Sequence, residues 1–92
     1  MLRSYGGQAR FLMHYVYLLK SESNPRQQYI GLTRDLRQRL QQHNDGTSAH
    51  TRKFRPWIAI VYFAFAQEKM AIAFEKYLKS ASGRAFIKRH FS

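Results

Sequence analysis

The chain sets two short strand-like stretches, HYVYLLK at His14–Lys20 and QYIGL at Gln28–Leu32, on either side of a turn-rich segment, SESNPRQ. In the first, Tyr15, Tyr17 and Leu19 fall on one face and Val16 and Leu18 on the other. In the second, Tyr29 and Gly31 oppose Ile30 and Leu32. Strands this close in sequence, joined by a turn containing Asn-Pro, pair as a hairpin. That predicts an antiparallel sheet and brings Tyr17 beside Tyr29. Tyrosine forms strands and fills cores well, so packing alone accounts for either ring. A phenol oxygen held in a cleft is the second explanation, and the rest of the chain bears on the choice.

Beyond the hairpin, Thr33 is a predicted N-cap for a helix over Arg34–His43 that Asn44 and Gly46 close. At ~100° per residue its buried stripe is Leu36 and Leu40, with Arg34, Arg37, Gln38 and Gln41 facing solvent and Arg39 and His43 at the stripe's edge. A polar basic loop, DGTSAHTRKFRP at Asp45–Pro56, leads into WIAIVYFAF at Trp57–Phe65, a continuously apolar run that reads as the central strand, covered on both faces. A second helix is expected over Gln67–Ser80, gathering Met70, Ala71, Phe74, Tyr77 and Leu78 on one side with Glu75 next to them. Ser82 is the expected cap of a last helix over Gly83–His90, which turns Phe86 and Ile87 inward. Residues 1–12 show neither period and read as a flexible extension, with Met13 as a candidate start and 13–92 as one domain.

Charge narrows the function. Sixteen Lys and Arg against five Asp and Glu give a formal charge of +11, a self-repulsion that a polyanionic partner relieves. Nucleic acid is therefore the expected partner, and the loop that interleaves His50, Arg52, Lys53 and Arg55 with Phe54 suits phosphate contact plus base stacking. A solvated loop that anchors Phe54 and Trp57 in the core explains the same residues. No apolar stretch approaches the ~18 residues of a membrane span and no leader-like segment opens the chain, so no membrane association and a cytoplasmic location are expected. The chain has no cysteine, which excludes a disulfide scaffold and thiolate metal sites.

Taken together, Tyr15-Val16-Tyr17, Tyr29-Ile30-Gly31, the Arg39/His43 helix, HTRKFRPW at His50–Trp57 and EKYLKSASGRAF at Glu75–Phe86 resemble the GIY-YIG nuclease superfamily. The likeness is greatest to its small stand-alone bacterial branch, whose catalytic module is similar to those of the nucleotide-excision-repair nuclease and the homing endonucleases. It implies an α/β (α+β) fold, a small three-stranded antiparallel sheet flanked by about three helices in the order β-β-α-β-α-α. It also implies metal-dependent hydrolysis of DNA phosphodiester bonds, with a link to repair or recombination. By the same resemblance Tyr17, Tyr29, Arg39, His43 and Glu75 are the catalytic set, Glu75 is the metal ligand, and Gly31 shapes the cleft backbone. Two departures stand out: Tyr15 occupies the place of the motif's opening glycine, and no asparagine follows Glu75.

These residue types suit the chemistry. Phosphodiester hydrolysis needs an activated water and relief of charge in the transition state. Glu75 can hold one Mg²⁺ or Mn²⁺ whose other ligands are waters and phosphate oxygen, and so acid-poor a chain argues against a two-metal site. Arg39 offers a permanently charged fork to phosphate. Either Tyr17, if cationic neighbours lower its pKa, or His43 can serve as base, and the sequence leaves that choice open. Simpler roles exist for each: strand packing for the tyrosines, an i,i+4 pair with Lys79 for Glu75, and the helix dipole for His43. Arg34, Arg37, Arg52, Lys53, Phe54 and Arg55 are the expected nucleic-acid contacts. With no second domain expected, contacts fall mainly on the backbone, so low sequence specificity follows, with DNA structure or a protein partner selecting the substrate. A non-catalytic DNA-binding module or an RNA-directed protein remains the alternative.

Overall fold

The computed structural model describes residues 12–92, so the expected extension falls, apart from Leu12, outside the described residues. The elements run β1 (His14–Ser21), β2 (Gln28–Thr33), α1 (Leu36–Asp45), a 3₁₀ turn (Arg52–Phe54), β3 (Trp57–Phe65), α2 (Glu68–Leu78) and α3 (Ala81–Phe91). They form the expected α+β arrangement in the order β-β-α-β-α-α.

The hairpin forms as predicted. β1 and β2 pair antiparallel with Tyr17 opposite Gly31 and Leu19 opposite Tyr29, and the Ser21 N–H donates to the Gln27 carbonyl to start the turn. The strand order is β2-β1-β3, however, so β1 is the centre and β3 an edge, which corrects the central position expected for Trp57–Phe65. In β3, Val61, Phe63 and Phe65 pack inward, while Ile58 and Tyr62 stay exposed, Tyr62 at 54%. Its unbroken apolar run reflects apolar residues left exposed at the sheet edge, Tyr62 on the face it shares with Tyr17 and Ile58 on the face it shares with Lys20, not two covered faces. The strand doubly enclosed is β1, where Val16 to Leu19 are all buried although the residues alternate between two layers.

Those layers differ in content. On one face of the sheet Val16 and Leu18 join Ala71, Leu78 and Ile87 in a hydrocarbon core, with Ile30, Leu32, Val61, Phe63, Phe74 and Phe86 around it. On the other, Tyr17, Leu19 and Trp57 form a second cluster under Tyr29, Leu36, Leu40 and Phe54. α2 and α3 cover the first face and α1 the second. α2 exposes Met70 and, in part, Tyr77, both of which the periodicity had turned inward.

Helix starts shift by a few residues from expectation. Asp35, not Thr33, caps α1: its carboxylate accepts from the Gln38 N–H at 3.0 Å, while the Thr33 hydroxyl accepts from the Asp35 N–H at 3.1 Å. Arg34 therefore precedes the helix. Gly46, at φ 86°, closes α1 as predicted. Ser80, not Ser82, caps α3, its Oγ accepting from the Gly83 N–H at 3.2 Å. Gly83 is buried because a side chain there would overlap the backbone of Tyr77 and Leu78, so α2 and α3 meet at a corner only glycine permits.

Candidate active site

The polar centre of the second layer begins with one cross-strand pair. Gly31 lies opposite Tyr17, and a methyl group at Gly31 would collide with the Tyr17 phenol ring and hydroxyl. The phenol thus lies across β2 in the space that glycine leaves, which is the physical role of Gly31 in the cleft.

From there a hydrogen-bonded chain runs inward. The Tyr17 hydroxyl is 2.9 Å from His43 Nε2, and His43 Nδ1 is 2.6 Å from Thr51 Oγ1. His43 is fully enclosed, deeper than the stripe edge assigned to it. Thr51 is also buried, and its carbonyl accepts from the Trp57 indole N–H at 2.8 Å. Asn44 grips the Trp57 backbone, accepting from its N–H and donating to its carbonyl. The Ser21 hydroxyl donates to the Phe54 carbonyl at 2.6 Å. These contacts fasten both ends of the basic loop and hold Thr51 behind the imidazole. Sequence reading missed Thr51 and gave Asn44 only a helix-closing role: both are small polar residues among charged ones, and their importance lies in contacts distant in sequence.

Tyr29 completes the aromatic wall. Its ring lies 4.8 Å from that of His43 and 6.2 Å from that of Tyr17, centroid to centroid. Arg39, half-buried on α1, donates from Nη1 to Gln42 Oε1 at 2.8 Å and reaches the Tyr17 hydroxyl with its charge. Glu75 enters from α2 on the opposite layer, its carboxylate 3.1 Å from Lys79 Nζ. The structure brings Tyr17, Tyr29, Arg39 and His43 together at the β1–β2 pair, with Glu75 close enough for its charge to act on Tyr17.

Burial dominates the electrostatics. Loss of water pushes Tyr17 from 10.0 up to about 12, against the opposing pull of Arg39. Desolvation, reinforced by the Arg39 charge, pushes His43 from 6.5 down to about 4. At neutral pH the pair is a protonated phenol and a neutral imidazole. That is a proton-sharing arrangement in which neither member alone is a strong base.

Among the described residues no three His, Cys, Asp or Glu side chains converge. The Glu75 carboxylate, a hard oxygen donor, is paired with Lys79 on α2. One carboxylate with waters and phosphate oxygens suits a hard dication such as Mg²⁺.

The expected nucleic-acid contacts divide in two. Arg34 and Arg37 line a groove of about 560 Å³ together with Tyr15, Tyr17 and Tyr62. Arg52, Lys53 and Arg55 are exposed on the loop, but Phe54 packs against the Tyr17 cluster, with Lys53 Nζ 5.6 Å from its ring centre. On the other side of Tyr29 a second hollow is lined by Lys79 and Arg84.

The family model described as the GIY-YIG catalytic domain matches residues 13–89. Structure-specific endonuclease subunit SLX1 of Candida dubliniensis is 41% identical over 73 residues, covering 72% of this chain and 26% of that protein. UPF0213 protein CPE1444 of Clostridium perfringens is 37% identical over 68 residues, covering 73% of this chain and 71% of that protein. For UPF0213 protein YazA of Bacillus subtilis the identity is 33% over 67 residues, covering 72% and 66%. The chain spans about a quarter or less of the SLX1 relatives it matches.

Proposed function

This chain belongs to the GIY-YIG catalytic domain family, and from that premise we propose that it is a metal-dependent endonuclease hydrolysing DNA phosphodiester bonds. The observation that carries this reading is the Tyr17 phenol, laid across Gly31, hydrogen-bonded to a buried neutral His43 and flanked by the Arg39 charge. A packing tyrosine needs neither a glycine to make room for it nor a buried imidazole as partner.

The geometry supports a relay. With Nδ1–H of His43 donating to Thr51 Oγ1, Nε2 accepts from the Tyr17 hydroxyl, and the Tyr17 oxygen keeps lone pairs for a proton from water. As water attacks phosphorus, its proton passes to the Tyr17 oxygen and the Tyr17 proton to His43 Nε2. Arg39 binds the phosphate and stabilises its growing charge. Pairing with phosphate also relieves the Arg39 repulsion that depresses His43, so an anionic substrate favours the proton-accepting state. Tyr29 walls the relay from solvent. Glu75 would hold one Mg²⁺ or Mn²⁺, whose chemistry when bound is Lewis-acid polarisation of a phosphate oxygen and help to the leaving oxygen.

DNA is the substrate, contacted through its backbone with low sequence specificity, in keeping with the exposed Arg and Lys around the site. The SLX1 relatives, structure-specific endonuclease subunits by name, support selection by DNA structure and by a protein partner. A role in repair or recombination and a cytoplasmic site of action fit that reading.

Incubation with supercoiled plasmid, flap and branched DNA in Mg²⁺, Mn²⁺ or EDTA is the test, beside Tyr17→Phe and Glu75→Gln. Metal-dependent nicking lost in both variants, with DNA affinity kept, is the expected result. Binding of every substrate without cutting would leave the chain a non-catalytic DNA- or RNA-binding module.

A further inference from the structure

The groove beneath the start of α1 has a composition that phosphodiester chemistry does not require. Its floor is aromatic: Tyr15 and Tyr62, neighbours on β1 and β3, meet edge to face with ring centres 5.7 Å apart. Tyr62 is 54% exposed. That is high for a large ring on a strand, and it follows from the edge position of β3, where α1 borders the groove with Leu36, Arg37 and Leu40 without burying the ring. Ala59, also on the lining, leaves the space beside it open.

The walls are cationic. Arg34 and Arg37 line the groove and form no ion pair among the described residues. Asp35, the acidic residue of the lining, has its carboxylate taken up by the α1 cap at the Gln38 N–H. The groove runs to Tyr17, which belongs to both its floor and the proposed reaction centre. At about 560 Å³ it has room for a nucleoside, and its open shape admits a continuing strand. Tyr15, where the motif has glycine, supplies half of the floor.

Taking the nuclease reading as its basis, we infer that this groove receives the first unpaired nucleotide of a single-stranded DNA branch, its base stacked on Tyr62 against Tyr15 and its phosphates on Arg34 and Arg37. A stacking platform accepts any base, because every base has a π face, but it requires that the base leave its duplex. The groove therefore distinguishes branched from fully paired DNA without reading sequence. It places the single strand on one side of Tyr17 and leaves the Lys79 and Arg84 side for duplex backbone.

The test reads binding in EDTA, apart from any cleavage. Anisotropy titrations compare a flap DNA with a fully paired duplex of equal length, and 2-aminopurine at the first unpaired position reports stacking. The wild type is expected to prefer the flap by about tenfold, as one stacked base contributes. Tyr62→Ala should remove that preference and the 2-aminopurine quenching while duplex affinity stays, and Tyr62→Trp should keep both. Arg37→Ala should weaken the flap complex and reduce the slope of log affinity against log salt by about one unit. Equal weakening of flap and duplex by Tyr62→Ala, no effect of it on either, or no flap preference in the wild type overturns the inference. Its failure is separable from that of the nuclease reading: cutting in Mg²⁺ with no flap preference refutes only the groove, and flap preference without cutting refutes only the enzyme.

Discussion

The two faces of the sheet are built from alternate residues of the same strands and have opposite characters. Under α2 and α3 the buried set is Val16, Leu18, Ala71, Leu78 and Ile87, with no buried polar side chain in it. Under α1, Tyr17, Leu19 and Trp57 enclose His43 and Thr51, which are joined by hydrogen bonds. The hydrocarbon face gains stability from every methyl and constrains no proton. On the polar face, desolvation keeps a phenol protonated and an imidazole neutral. One residue of register separates the two, so stability and chemistry should be separable by mutation within β1.

The largest effect expected of that separation is on the polar face. Tyr17→Phe removes the hydroxyl bonded to His43 and leaves the ring lying over Gly31. Cleavage of plasmid should fall by about a thousandfold, within the range for loss of a proton-transfer group. Stability by urea denaturation should fall by about 1–3 kcal/mol, the cost of leaving the buried His43 Nε2 unpaired, less than the change in turnover. A variant that loses most of its stability instead would make the phenol a structural group and erase the contrast.

Next comes the reverse experiment, one residue along. Leu18→Ala deletes a fully buried side chain from the hydrocarbon face and should cost about 3 kcal/mol by urea denaturation. Cleavage per folded molecule should stay within a few-fold of wild type. A large drop in turnover at full folding would mean that the two faces are mechanically coupled.

A smaller effect is expected from pH. The unfolded chain protonates His43 near 6.5 and the folded chain only near 4, so between those values the unfolded state binds the extra proton. The stability contributed by keeping His43 neutral is complete above 6.5 and is lost as pH falls toward 4. From pH 7 to pH 5 that amounts to about 2 kcal/mol. His43→Gln, whatever its overall stability, should show a flatter profile over that window. An unchanged slope would place the sensitivity in other groups.

Much of this contrast was legible in the sequence. Strict alternation in Tyr15–Leu19 and Tyr29–Leu32 determines which face each residue takes, because a strand's side chains have period two. Tyr17 and Tyr29 were therefore assignable to one region from spacing alone. What was not legible depended on neighbours distant in sequence. Trp57–Phe65 is apolar on both faces, and periodicity alone cannot say whether a second layer covers both; the groove beside Tyr62 shows that one stays open. Asp35 and Thr33 are both competent caps, as are Ser80 and Ser82, and the tight α2–α3 corner at Gly83 favours the earlier serine of the second pair. Thr51 gave no signal, because a buried threonine behind a histidine has no spacing rule. The displacement of Tyr17 and His43 from their ordinary pKa values follows from depth of burial, which composition does not report.

Glu75 is where the division between faces breaks down. It stands on α2, an element of the hydrocarbon layer, yet its charge reaches Tyr17, and in this structure its carboxylate is paired with Lys79. That pair lies on a helix surface with the lysine largely exposed, so Lys79→Ala should change stability by no more than about 0.5 kcal/mol. Its effect on cation binding has the opposite sign from a simple loss. Without the ammonium, Glu75 carries an uncompensated charge, and Mn²⁺ affinity measured by paramagnetic broadening or calorimetry should rise by a few-fold. Glu75→Gln should abolish that binding in either background. If Lys79→Ala weakens Mn²⁺ instead, the lysine positions the carboxylate for the ion and does not compete with it. If neither substitution matters, Glu75 belongs to the surface of α2, and the reaction centre lies wholly within the polar layer under α1.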